Sequence, residues 1–234
     1  MDWTTSPAAG TSMWAQEIGN RAEKEQVARK VAARAKNGDV VGVGSGSTSY
    51  LTVVALGERV RHEGLRITAI PTSAELALTC AAYGIPTTTL LAARPDWAFD
   101  GADEVDGANR LIKGRGGAML QEKLVIASSA LTCIVVDRSK RVERLGSKFA
   151  VPVEVIPQAV HLACERLTRL GATGLALRMA KGKDGPIVTE LGNLVVDARF
   201  DQIPDTHEHD IAAIPGVVES GLFVGYPVEI VEPD

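Results

Sequence analysis

From residue 16 to residue 136 the chain alternates between helical and strand-like patterning. Over Gln16–Lys36, Ile18, Ala22, Val27, Val31 and Ala35 recur at three-to-five spacing with Lys, Arg and Glu between them, which predicts an amphipathic helix. Asn37-Gly38-Asp39 stops it. Val40–Gly44 is a short apolar run and predicts a buried strand. Ser45-Gly46-Ser47-Thr48 predicts a turn, and Ser49–Arg61 a helix. A strand over Arg66–Ile70, a helix over Ser73–Tyr83 closed by Gly84, and a strand over Thr87–Leu91 follow. Trp97–Phe99 is a short strand running into Asp100, Met119–Ala130 a helix and Leu131–Val136 a strand. This alternation calls for a mostly parallel sheet with helices on both faces.

After Asp137 the rhythm changes. Val151–Pro157 reads as extended and Gln158–Leu170 as a helix. Leu175–Met179, Ile187–Leu191 and Leu194–Phe200 read as strands, the last two joined in a hairpin at Gly192-Asn193. Asp205–Ala213 is a short helix. These pieces predict a small α+β unit with an antiparallel sheet. The tail GLFVGYPVEIVE, residues 221–232, offers two strands to the main sheet. Residues 1–15 lack periodicity and read as a mobile lead-in.

Composition narrows the function classes. The 234 residues are 45% apolar but only 4% aromatic, so the core is aliphatic. The net charge of −4 disfavours a nucleic-acid partner. No apolar run approaches the ~18 residues of a membrane span. Asp2 with no following apolar region does not form a secretory signal. Cys80, Cys133 and Cys164 are odd in number and lie in apolar surroundings, as buried reduced thiols would, which points to a cytoplasmic location.

Four segments carry candidate chemistry. Gly42-Val-Gly-Ser-Gly-Ser-Thr48 lies between a strand and a helix, where backbone amides and the helix dipole favour an anion. Gly44 and Gly46 permit close approach, and Ser45, Ser47 and Thr48 add hydroxyls. That suits a phosphate, although the motif is neither a P-loop nor a full dinucleotide fingerprint. A tight turn with a Ser/Thr helix cap is the competing reading. Phe99–Gly107 places Asp100, Asp103, Glu104 and Asp106 beyond a strand end, where ligands bind in open parallel sheets. Mutual repulsion raises carboxyl pKa values and suits acid–base work, whereas a solvated acidic turn is the plainer alternative. In Leu111–Lys123, Lys113 precedes a Gly-rich turn and is placed to neutralise developing negative charge. Glu122, among Met119, Leu120 and Leu124, is a candidate general base, or else an ordinary helix-surface residue. Lys140 follows another strand end and by itself is only a loop lysine. His62 and His161 fall in helical patterns, and His207 with His209 lacks a third metal ligand.

Together VGVGSGSTS (41–49), FDGADEVDG (99–107), LIKGRGGAMLQEK (111–123), VDRSKRVERLG (136–146), PVEVIP (152–157) and AIPGVVESGLF (213–223) resemble the A-type ribose-5-phosphate isomerase family, from about Gln16 onward. The resemblance implies an α/β fold: a Rossmann-like, mostly parallel sheet domain (1–143 plus 218–234) and a smaller ferredoxin-like α+β domain (144–217). It implies that Ser45, Gly46, Ser47 and Thr48 hold a sugar phosphate, with Lys24 as a helper. Asp100 and Asp103 would contact sugar hydroxyls and assist ring opening. Lys113 and the loop Gly114, Arg115, Gly116 would bind the reacting end, Glu122 would be the general base and Lys140 a further substrate contact. No metal and no organic cofactor are implied, and the assembly would be a homodimer or homotetramer. Arg115 and Leu120 depart from the residues frequent in the family, a Gly and a Thr. Three other readings remain at this stage: an amino-sugar-phosphate deaminase, a non-catalytic sugar-phosphate sensor, and a divalent-metal isomerase or phosphatase using the acidic cluster.

Overall fold

The computed structural model describes Trp14, residues 17–182 and residues 184–234. The expected lead-in (Trp14 apart) and Gln16, where the first helix is expected to begin, lie outside the described residues. The elements run α1 (Arg21–Ala32), β1 (Val40–Val43), α2 (Ser47–Glu63), β2 (Thr68–Pro71), α3 (Ala74–Ala82), β3 (Trp97–Asp100), β4 (Glu104–Val105), β5 (Leu111–Ile112) and α4 (Met119–Ser128). They continue with β6 (Thr132–Val135), β7 (Val151–Val155), α5 (Val160–Arg169), β8 (Ala172–Leu177), β9 (Leu194–Phe200), α6 (His207–Ala212), β10 (Val217–Ser220), β11 (Leu222–Phe223) and β12 (Val228–Val231).

The chain divides into two compact units. The first holds residues 1–101, 124–139 and 227–234. Its sheet has the order β12-β6-β3-β1-β2, and every pairing in it is parallel. Side-chain alternation along β1 splits the core in two. Val41 and Val43 pack with Val27 and Val31 of α1, Val53 and Leu56 of α2, and Leu76 and Cys80 of α3. The opposite face carries Ile70, Ala98 and Val125 of α4. Gly42 makes that second layer possible, because a Cβ there would lie 2.4 Å from Val125 Cγ1. α1 forms because Lys24, Val27, Ala28, Val31 and Ala32 share one buried stripe. In α3, Ser73 caps the first turn by accepting from the Leu76 amide at 3.3 Å.

The second unit holds residues 102–123 and 140–226. It contains a four-stranded antiparallel sheet, β10-β7-β9-β8, and a three-stranded sheet, β11-β5-β4. Val151, Val153 and Val155 of β7 and Val196, Ala198 and Phe200 of β9 bury against Ala163 and Leu167 of α5 and Ile211 of α6. The architecture is therefore α/β with a separate antiparallel α+β part. The expected boundaries fall at 143/144 and 217/218, whereas 102–123, 140–143 and 218–226 group with the second unit. Strand pairing explains the difference: β4 and β5 pair with β11, and β10 pairs with β7.

Several local expectations are corrected. Thr87–Leu91 is no strand: Thr87 alone bridges Ala69, and Leu91 is fully exposed, so nothing buries an alternating face. Ile187–Leu191 is not a strand, and Gly192-Asn193 does not close a hairpin. The Glu154 carboxylate instead accepts from Thr189 Oγ1 at 2.7 Å and Asn193 Nδ2 at 2.9 Å, folding 189–193 into a tight loop. Of the two tail strands only β12 joins the main sheet, while β11 pairs with β5. α1 begins at Arg21, and the strand expected over Leu175–Met179 runs Ala172–Leu177.

Candidate functional site

In the first unit the strand-to-helix junction brings β1, the start of α2 and the end of β3 together. β1 ends at Val43, and the Gly44 amide donates to Phe99 O at 2.8 Å, which fixes the junction against the end of β3. A Cβ on Gly44 would lie 1.9 Å from Asp100 Cγ, so the glycine is required by the buried carboxylate beside it. Gly46 is the N-cap of α2 at φ 98° and ψ 170°, so the cap position is held by a glycine and not by the competing Ser or Thr. The amides of a helix's first turn are the groups an anion meets at such a junction. Lys24 reaches in from α1: its Nζ donates to Ser47 Oγ at 3.1 Å and pairs with Asp137 Oδ2 at 3.7 Å. Burial pushes the Asp137 carboxyl up, but hydrogen bonds from the Ser139 hydroxyl and amide and from Asn20, with the Lys24 charge, outweigh it and hold the group below its ordinary value. Asp100 is buried at the end of β3, and its Oδ1 accepts from the Gly101 amide at 2.7 Å.

In the second unit Lys113 and Glu122 form a buried ion pair. Nζ and Oε2 are 3.2 Å apart, with side chains only 2% and 5% exposed. Lys113 follows β5, and its amide donates to Gly221 O at 2.9 Å. Its ammonium also lies 5.5 Å from the centre of the Phe223 ring. Glu122 projects from the first turn of α4. Between the two, residues 114–117 form a turn closed by Gly117 N–H donating to Gly114 O at 3.0 Å, with φ of 88° at both glycines. Asp103 Oδ2 accepts from the Arg115 amide at 3.2 Å. Burial raises the Asp103 carboxyl above its ordinary value; Lys113, Lys140 and the Arg115 amide pull it down, and the Glu122 charge adds to the rise. Arg115 and Lys140 lie 5.5 and 5.6 Å from the centre of the Phe149 ring.

The acidic cluster separates into roles that local sequence does not distinguish. Glu104 is fully buried and accepts from the amides of Gly146, Lys148 and Phe149 at 2.6–2.7 Å, anchoring the loop that carries Phe149. Asp106 accepts from the amides of Ala108 and Arg110 at 3.0 Å and from Arg110 Nε at 2.8 Å. Both are braces. Arg178 and Lys123 are absent from the sequence expectations. Arg178 Nη1 donates to the carbonyls of Gly114 at 3.0 Å and Arg115 at 2.7 Å, and no spacing signal links residues so far apart. Lys123, next to Glu122, lies 2.7 Å from carboxylate oxygens of both Glu208 and Glu219. His62 and His161 are exposed, and His207 packs edge-on against Phe200. Among the described residues no three His, Cys, Asp or Glu side chains converge as a metal site. Cys80 and Cys133 are buried free thiols, while Cys164 is half-buried. No helix of the described residues is long and apolar enough to cross a membrane.

Comparison with known proteins bears on this chemistry. The profile of the family described as Ribose 5-phosphate isomerase A (phosphoriboisomerase A) matches residues 68–232. Ribose-5-phosphate isomerase A of a Synechococcus species is 50% identical over 206 residues, covering 86% of this chain and 88% of that relative. The structure of ribose 5-phosphate isomerase A from Methanocaldococcus jannaschii superposes with a TM-score of 0.87 at 40% identity, over 91% of this chain and 95% of that one. A D-ribose-5-phosphate isomerase solved in complex with phospho-erythronic acid gives a TM-score of 0.87 at 35% identity, over 92% of this chain and 96% of that one. Matched in sequence and in fold over most of its length, the chain belongs to the ribose 5-phosphate isomerase A family.

Proposed function

We propose that this chain is an aldose–ketose isomerase that interconverts D-ribose 5-phosphate and D-ribulose 5-phosphate, using Glu122 as the single base. The observation that carries this reading is the buried Lys113–Glu122 pair beside a glycine turn. A carbon-bound proton next to a carbonyl leaves only if the oxygen's growing charge is met, and Lys113 and the turn amides offer that. Asp100 and Asp103 assist ring opening by moving a proton between the ring oxygen and the C1 hydroxyl. Glu122 takes the C2 proton, giving a cis-enediolate with its charge on O1; the O2 hydroxyl proton passes to O1, and Glu122 returns its own proton to C1 as the C2 carbonyl forms. One carboxylate on one face serves both carbons, so proton and charge balance without a co-reactant. Ser45, Gly46, Ser47, Thr48 and Lys24 hold the phosphate, far from the reacting carbons in the covalent structure. That binding energy anchors the sugar against the base. Gly114, Arg115, Gly116 and Lys140 contact the reacting end.

Membership of the family supports the reaction, and the glycine at the cap position of α2 supports the phosphate role. Free thiols, two of them buried, suit a reducing, cytoplasmic setting. The proposal extends to a homodimer or homotetramer, which light scattering on the purified chain would measure. The test of function is ketose formation from ribose 5-phosphate in the presence of EDTA. Activity should be undiminished by chelator, and Glu122→Gln should lower kcat by at least ~10²-fold. Near-normal turnover in that variant removes the base assignment. Loss of activity in EDTA favours a metal-dependent reaction instead.

A further inference from the structure

We propose that Arg178 is a positioning residue for the isomerisation: it aims the amides of the 114–117 turn at the reacting oxygens. The inference rests on the function proposed above and concerns a residue outside the set assigned there.

Arg178 is itself rigidly held. Its amide donates to Val195 O and its carbonyl accepts from the Ile187 amide, both at 2.9 Å, so the ladder continues past β8. Asp197 of β9 takes one edge of the guanidinium, with Nε at 2.8 Å from Oδ2 and Nη2 on Oδ1. Because the guanidinium is planar, fixing one edge fixes the direction of the other nitrogen. That nitrogen, Nη1, donates to both Gly114 O and Arg115 O.

The consequence follows from peptide geometry. In a planar trans peptide the N–H points opposite to the C=O. Two successive carbonyls drawn to one nitrogen therefore send the amides of Arg115 and Gly116 the other way. The Arg115 amide does arrive at a carboxylate there, on Asp103 Oδ2 at 3.2 Å. The Gly116 amide is sent to the same side, is exposed, and donates to none of the described residues. It is a ready donor for an enediolate oxygen beside Asp103. The turn has little reason to hold this direction unaided: Gly114, Gly116 and Gly117 flank a single Arg115, and glycine loses more freedom on ordering than any other residue. The Arg178–Asp197 clamp supplies from outside the rigidity that the turn lacks.

The experiment compares Arg178→Ala and Arg178→Lys with the native chain, reading kcat, KM and the affinities for phospho-erythronic acid and for inorganic phosphate. Phospho-erythronic acid carries a carboxylate at the end opposite its phosphate, so it senses both ends of the substrate. Arg178→Ala should lower kcat by ~10–100-fold with KM within about threefold, and weaken phospho-erythronic acid by about tenfold while inorganic phosphate stays within about twofold. Low-millimolar guanidinium should restore part of the lost kcat. Arg178→Lys, which keeps the charge but not the fork, should fall between, and it is the variant to read if the alanine form does not fold. Unchanged kcat and unchanged acid affinity overturn the proposal. Equal weakening of both anions, or no response to guanidinium, also overturns it, since general damage to the fold would do that. If the native chain binds both anions yet does not isomerise ribose 5-phosphate, the functional reading fails, and the contrast between the anions still decides the role of Arg178.

Discussion

Replacing Gly44 with alanine tests how tightly the junction and the acidic strand end are fitted together. The new methyl would lie 1.9 Å from Asp100 Cγ, 2.2 Å from Oδ1 and 2.4 Å from Cβ. Ordinary carbon–carbon contact is about 3.5–4.0 Å, so something must give by ~1.5–2 Å. Asp100 has nowhere easy to go, being 1% exposed and tied to the Gly101 amide at 2.7 Å. Overpacking of this kind costs about 1–3 kcal/mol, and the broken hydrogen bond to a charged group about 1.5–3 kcal/mol more. A loss of ~4 kcal/mol corresponds to a fall in Tm of roughly 8–16 °C for a chain of this size. A displaced Asp100 should also lower kcat by ~10²-fold. The assay is calorimetric melting with turnover of ribose 5-phosphate, run beside the double variant Gly44→Ala, Asp100→Gly. Removing the obstructing side chain should recover only the overpacking share of the lost Tm, about 1–3 kcal/mol, because the bond to the Gly101 amide goes with Asp100, and it should recover no activity. A single variant melting within ~2 °C of the native chain, or a double variant no more stable than the single, would refute the reasoning.

Lys113→Met should lower kcat by at least ~10²-fold and cost about 3–5 kcal/mol at neutral pH, because it breaks the buried 3.2 Å ion pair with Glu122; a melt that matches the native chain would contradict the pairing. Lys24→Met removes a cation that donates to Ser47 Oγ at 3.1 Å, and should raise KM about tenfold with kcat within about threefold; a change in kcat alone would remove Lys24 from the phosphate grip. Asp103 has a folded-state carboxyl raised above its ordinary 3.8, mainly by burial, so its stability contribution is complete below that pH and is lost as pH rises through the folded value. Asp103→Asn should therefore be more stable than the native chain at pH 7, with the difference closing towards pH ~3.5; a gap independent of pH would show that burial does not set this group.

What was legible in the sequence is what local pattern encodes. The strand–glycine–helix junction at 40–48 and the run from Lys113 through a glycine turn to Glu122 sit within short stretches; that Lys113 and Glu122 form an ion pair is seen only in the structure. The four carboxylates of 100–106 were visible as a cluster but not as individuals. Glu104 finds its amide donors 42 to 45 residues downstream, and its neighbours give no hint of them. Arg178 lies 63 and 64 residues from the carbonyls it holds. β4 and β5 have two residues each, too few to display a period. Ile187–Leu191 carried a strand-like composition, and a buried carboxylate on β7 overruled it.

The order in which the first unit acquires its strands shapes how the polypeptide emerges from the ribosome. β1, β2 and β3 are made early, β6 follows, and β12 comes only after the whole second unit has been translated. Until then β6 presents an open hydrogen-bonding rim to whatever else is nascent nearby, which is the hazard that drives intermolecular strand exchange. When Val228–Val231 arrives it occupies that rim, and Arg34 fastens it through two 2.6 Å bonds to Glu229. Interrupted synthesis after Tyr226 would leave an adhesive product rather than a merely shortened one.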